Sequence, residues 1–109
     1  MLGPFFSEHW ANEQGFPAGG ISSGTGICIS WQNGPLGQGE GRKAPNGAFV
    51  ETVLAMVKDR IEFYETAADG RFSCEENQAA IRYITTALDV LHTRTQKREA
   101  RQVEGTHAV

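Results

Sequence analysis

The sequence predicts a mainly α fold: an antiparallel αα-hairpin carrying a small N-terminal β element (α+β minor), oligomeric in its working state. Three observations predict it. Residues 1–47 hold eleven of the thirteen glycines and all four prolines, and both residue types weaken helix and strand interiors, through backbone entropy and a missing donor. Residues 48–101 instead repeat apolar side chains at three- and four-residue spacing, the period of one helix face. A chain of 109 residues has the size of one small domain. A single hairpin gives each apolar stripe one partner, so further copies have to complete the core.

Taken in order, residues 1–28 read as an arm, because Phe5, Phe6, Trp10 and Phe16 follow neither a helical nor an alternating period. Such an arm either docks elsewhere or stays disordered. In Ile27-Cys28-Ile29-Ser30-Trp31-Gln32, apolar Ile27, Ile29 and Trp31 alternate with polar neighbours, as in a half-buried strand. Asn33-Gly34 marks a turn after it. No second alternating run follows, so the strand's partner is either Gly20-Ile21-Ser22 or a segment of another subunit. Strand and loops fill residues 29–46. Helix one spans 47–67, with Asn46 as its cap and Val50, Val53, Leu54, Val57, Ile61 and Tyr64 on one face. Gly70 supplies the left-handed residue that ends many helices. Ser73-Cys74-Glu75-Glu76 has the form of a capping box, which opens helix two at 74. Ala80, Ile81, Ile84, Ala87, Leu88 and Leu91 form its stripe as far as residue 101, and a tail occupies 102–109.

Charge and motif content exclude several functions. With ten Lys and Arg against thirteen Asp and Glu, the net charge of −3 argues against a general duplex-DNA binder, whose affinity rests on neutralising many phosphates. No apolar run approaches the roughly 18–20 residues of a membrane span, and the first twenty residues lack the pattern of a signal peptide, so a soluble cytoplasmic protein is expected. Gly37-Gln38-Gly39-Glu40-Gly41-Arg42-Lys43-Ala44 misses the phosphate-loop register, having Arg42 where glycine is required and Ala44 where Ser or Thr is. His9, His92 and His107 show no metal-ligand spacing, so no metal and no cofactor is expected. Cys28 and Cys74 read as free thiols. No local nucleophile motif is present, and Asp59, Glu62 and Glu65 read as a solvated helix face.

The most specific chemistry lies near the end of helix two, where Arg94, Arg98 and Arg101 stand at i, i+4 and i+7 on one face. Guanidinium forks at that spacing fit the oxygens of a small phosphate ligand. Cations there are also favoured by the helix dipole alone, and that reading stays open beside the first. Tyr64 and Asn77 both fall toward the connecting end of the hairpin, as a base-stacking ring and a hydrogen-bonding amide, or else as a stripe residue and a surface group. Asn77 and the arginines lie about 25–30 Å apart along one helix at 1.5 Å per residue. Only an antiparallel neighbour brings the two sets together.

Several ordered blocks, Ile29-Ser30-Trp31-Gln32-Asn33-Gly34-Pro35, Asn46-Gly47-Ala48-Phe49-Val50-Glu51, Phe72-Ser73-Cys74-Glu75-Glu76-Asn77 and Arg94-Thr95 through Val103-Glu104-Gly105-Thr106-His107, resemble the phage anti-Thoeris nucleotide-sponge family, the first type of Thoeris anti-defence protein. That family is related to the phage anti-CBASS hairpin sponge. The likeness runs from about Ile29 to Val109, making residues 29–109 a sponge domain. It implies a homo-oligomer, a hexamer, that works in the cytoplasm of the infected bacterial host. It binds cyclic ADP-ribose isomers, with cyclic di- or trinucleotides at a second site in some members, and it does not cut them. By position, Tyr64 matches an aromatic that stacks on adenine, Asn77 a polar ligand contact, and Arg94 and Arg98 phosphate contacts. Arg60, Arg42, Thr95 and Arg101 are further ligand-binding candidates. Gln102 stands where the family pattern has glycine. The alternative from another class is an oligomeric helical-hairpin module for structure or protein interaction.

Overall fold

Where the sequence suggested an arm, the chain builds a sheet. In the computed structural model, which describes residues 1–109, strands β1 (Phe5–Ala11), β2 (Pro17–Gly24) and β3 (Ile27–Trp31) pair antiparallel in the order β1-β2-β3. The register sets Ser7 opposite Ser22 and Ser22 opposite Ile29, with an irregularity between His9 and Ala11. The partner of β3 is therefore Gly20–Ser22 of the same chain, one of the two possibilities the sequence left open.

The expectation of a mainly α fold is corrected accordingly. Helix takes 46% of the residues and strand 19%, which makes the fold α+β. Glycine counted against strands on entropic grounds, yet in this segment glycines provide turns and close contacts. Asn12 closes the first hairpin: its Oδ1 accepts from the backbone N–H groups of Gln14 (2.9 Å) and Phe16 (3.0 Å), and Gly15 takes φ +81°. Gly26, at φ +77°, turns the chain between β2 and β3. On the central strand, a Cβ at Gly20 would lie 2.5 Å from the Glu8 carbonyl oxygen, and one at Gly19 would lie 3.2 Å from the Trp10 ring. Side chains then tie all three strands together. Trp31 Nε1 donates to Ser22 Oγ (2.8 Å), which lies 2.7 Å from Ser7 Oγ.

The outer edge of β3 is closed by a parallel bridge to Ala48, whose N–H donates to Ser30 O (2.8 Å) and whose carbonyl accepts from Gln32 N–H (3.0 Å). Asn46 serves that junction and does not cap a helix. Its Oδ1 accepts from Asn33 N–H (2.8 Å), and its own N–H donates to Gln32 Oε1 (2.9 Å). The C-terminal tail returns to the same unit. Gly37 N–H donates to Gly105 O (2.8 Å), the Gln38 amide donates to Gln102 O (2.9 Å) and Glu104 O (2.8 Å), and His107 Nε2 lies 3.2 Å from Pro17 O. Residues 1–49 and 98–109 thus form one compact unit.

Residues 50–97 form the second unit. It comprises α1 (Val50–Gly70) and most of α2 (Glu75–Ala100). Regular helix in α1 stops before Ala67, since Ala67 is extended (ψ 146°) and Ala68 and Asp69 are left-handed (φ 51° and 55°). The two helices run antiparallel. An open groove of about 530 Å3 between them is lined by Glu51, Thr52 and Ala55 from the start of α1 and by Leu88, Asp89, His92 and Thr95 from the far part of α2. Neither unit buries an apolar side chain, and the one buried polar side chain is Arg98, at 7% exposure.

Candidate functional site

At the connecting end of the second unit, the last turns of α1 place aromatic groups in solvent beside a cation. The Arg60 guanidinium carbon lies 5.0 Å from the Tyr64 ring centre and 5.3 Å from that of Phe63. The two rings stand 6.0 Å apart at 57°. The i, i+4 spacing of Arg60 and Tyr64 produces this stack, because residues four apart share a helix face. Phe63 (54% exposed) and Tyr64 (42%) leave much of their surface open, and a guanidinium over an aromatic face holds its geometry through the ring quadrupole.

Asn77 belongs to the same end of the unit. Its backbone N–H donates to Cys74 Sγ (3.4 Å), and its side-chain amide reaches Phe72 O at 3.5 Å. The predicted Ser73–Glu76 capping box does not form. Glu65 of α1 does the capping instead: Ser73 Oγ donates to its Oε2, Cys74 N–H donates to its Oε1 (3.2 Å), and the Gln78 amide donates to Oε2 (3.3 Å). The sequence had read Glu65 as part of a solvated face. A carboxylate at a helix N-terminus meets unpaired N–H groups and the positive end of the dipole, which explains why it prevails. The Ser73 hydroxyl does most to hold the Glu65 carboxyl below its ordinary pKa of 4.5; desolvation opposes it, and Asn77, the Cys74 N–H and Gln78 add to it.

The arginines of α2 part company in the structure. Arg94 is exposed, and the only ion pair in the chain joins Arg98 to Glu104. Arg98 is buried in a cage made by its own tail. Nε donates to Glu104 Oε2 (3.1 Å), Nη2 to the carbonyls of Val103 and Thr106 (both 3.0 Å), and Nη1 to Ala108 O (2.5 Å). Four of the five guanidinium N–H groups are thereby used within the chain. Arg101 Nη2 donates to Val109 O (2.6 Å). Thr95 Oγ1 donates to Leu91 O (3.3 Å) and lines the interhelical groove. Arg42 is exposed, its backbone N–H donating to Gly39 O (3.2 Å) in a 3-10 turn at Gly39–Gly41.

The structure therefore pairs Arg60 with Tyr64 in the last turns of α1 and places Asn77 in the first turn of α2. Arg98 and Arg101 sit in the tail cage, Arg94 and Thr95 on the body of α2, and Arg42 in a loop. Two contributors escaped the sequence reading. Phe63 is signalled only by standing three residues after Arg60, and Glu104 only by standing six residues after Arg98, beyond the end of the helix.

No family model matches the chain. Thoeris anti-defense 1 of Bacillus phage SBSphiJ7 is 37% identical to it over 79 residues, which cover 72% of this chain and 51% of that protein. The chain thus spans about half the length of the curated relative it matches.

Proposed function

Because this chain belongs to the anti-Thoeris family, we propose that it is a phage anti-defence protein that binds host signalling nucleotides and withholds them from their effector without cleaving them. The observation that carries the proposal is the solvent-facing stack of Arg60, Phe63 and Tyr64 in the last turns of α1. A rigid aromatic platform takes a nucleobase by stacking, worth about 1–3 kcal/mol per base. The Asn77 side-chain amide, in the first turn of α2, is the group that reads the base edge or ribose. Arg94, free of any carboxylate partner, is a fork for pyrophosphate oxygens. Arg98 fixes the tail against the end of the helix that carries Arg94, and it retains one N–H for a ligand.

Asn77 and Arg94 are separated by about 25 Å along α2, at 1.5 Å per residue. A cyclic ADP-ribose isomer, the ligand class of the family, is too small to touch both. On this reading the site is completed when one chain supplies Tyr64 and Asn77 and a second copy supplies Arg94, in a homo-oligomer that we take to be a hexamer. No helix is long and apolar enough to cross a membrane, and the protein acts where such nucleotides are made, in the cytoplasm of the infected cell.

Calorimetry of the purified protein with cyclic ADP-ribose isomers tests this, followed by heat denaturation and chromatography of the released ligand. Saturable binding and recovery of intact nucleotide are expected, and Tyr64→Ala should weaken binding about 5- to 150-fold, the equivalent of the stacking energy. Absence of binding, or recovery of a cleaved product, ends the proposal.

A further inference from the structure

We propose that the free edge of β1 is a self-association seam, at which Phe5–His9 of one chain pairs antiparallel with the same segment of a second copy. This deepens the oligomeric reading above and rests on it. The two edges of the sheet are treated differently: β3 is closed by its bridge to Ala48, whereas β1 pairs with β2 alone. Six of the seven residues of β1 are exposed. Natural edge strands are usually blunted by proline, lysine, short length or a bulge. Between Phe5 and His9 this edge has neither proline nor lysine and one charge, Glu8. The irregularity after His9 closes only its far end.

A second copy is the occupant that the geometry favours, because an antiparallel edge is complementary to itself about a two-fold axis normal to the sheet. Such an axis at Ser7 sets Phe5 against His9 and Phe6 against Glu8. It uses the whole regular edge and keeps the two Glu8 carboxylates from meeting directly, which like charges resist. Phe5, Phe6 and Trp10 are 70%, 57% and 45% exposed. At 150–250 Å2 per aromatic side chain, that leaves about 250–430 Å2 of ring surface per chain. Two copies together bring roughly 50–85% of the ~1,000 Å2 that a specific interface needs, before any backbone is counted.

Light scattering on the full chain and on a Phe6→Lys/His9→Lys variant tests the seam, with circular dichroism to verify that the variant keeps its helix. The variant's mass should fall to about half that of the wild type or below, as removal of a two-fold contact requires. A folded variant of unchanged mass overturns the seam and leaves the oligomeric reading intact, whereas a monomeric wild type overturns both. Should the variant not fold, amide exchange in the wild-type protein decides. On an open edge, alternate amides between Phe5 and His9 face solvent and exchange fast, and pairing protects them all. Fast exchange at the alternate amides overturns the seam. Nucleotide binding is measured separately, and its failure leaves the seam standing.

Discussion

Arg94 and Arg98 are one helical turn apart and sit in different surroundings, the first exposed and the second buried. Arg94→Glu should leave thermal stability within a few degrees of wild type, while removing charge-assisted hydrogen bonds worth about 1.5–3 kcal/mol, a loss of roughly 10- to 150-fold in nucleotide affinity by calorimetry. Arg98→Ala should act the other way round. It strips donors from three carbonyls and from Glu104, costing about 2–4 kcal/mol, and its signature is a melting temperature lower by roughly 10 °C or more. Spacing in the sequence shows that both arginines share a face. It is silent on what lies against that face, because the tail carbonyls come from backbone and carry no residue signature. Glu65 makes a separate prediction. Its carboxyl is held below 4.5 when folded, so the unfolded chain takes up the proton first as pH falls. Its contribution is fully present above the unfolded pKa and is lost as pH drops from about 4.5 through the lowered folded value. Acid titration followed by helix dichroism should show this loss, and Glu65→Gln should flatten it.

Among the elements, the helices were legible because their signal is local: Val53, Leu54, Val57 and Ile61 repeat within one segment, and no distant partner is needed to see them. The sheet was not. Its central strand reads Pro17-Ala-Gly-Gly-Ile-Ser-Ser-Gly24, and its glycines become favourable only once Trp10 and the Glu8 carbonyl lie against them. Aromatic positions in β1 do alternate across two faces, but Phe5 and Phe6 stand side by side, and a strand with both faces apolar hides its period. That Tyr64 and Asn77 both fall toward the connecting end follows from the hairpin alone, whereas the role of Glu65 depended on a turn whose exact path the sequence does not dictate. The end of α2 supplies a stability test. Gln102 is left-handed at φ 60°, in the position where helices commonly end on glycine. Its backbone carbonyl is the group that Gln38 uses, so Gln102→Gly keeps that bond and relieves about 0.5–1 kcal/mol of strain. A rise of a few degrees in melting temperature is expected.

At the scale of the whole molecule, neither unit buries an apolar side chain, so the proposed homo-oligomer carries a prediction for stability. Association binds folded chains and not unfolded ones, so the melting temperature should climb with protein concentration; scanning calorimetry over a hundredfold dilution series checks this, and a concentration-independent transition contradicts it. The first unit combines residues 1–49 with residues 98–109, and the helical unit is inserted between them. That threading sets an order of events during translation. At about 5–20 residues per second, the intervening stretch takes roughly 2–10 s to emerge, and throughout that interval the sheet waits for Gly105 and His107 to close over Gly37 and Pro17. The β1 hairpin is complete first, so a nascent chain offers its open edge to neighbours on the same messenger before it owns a finished fold.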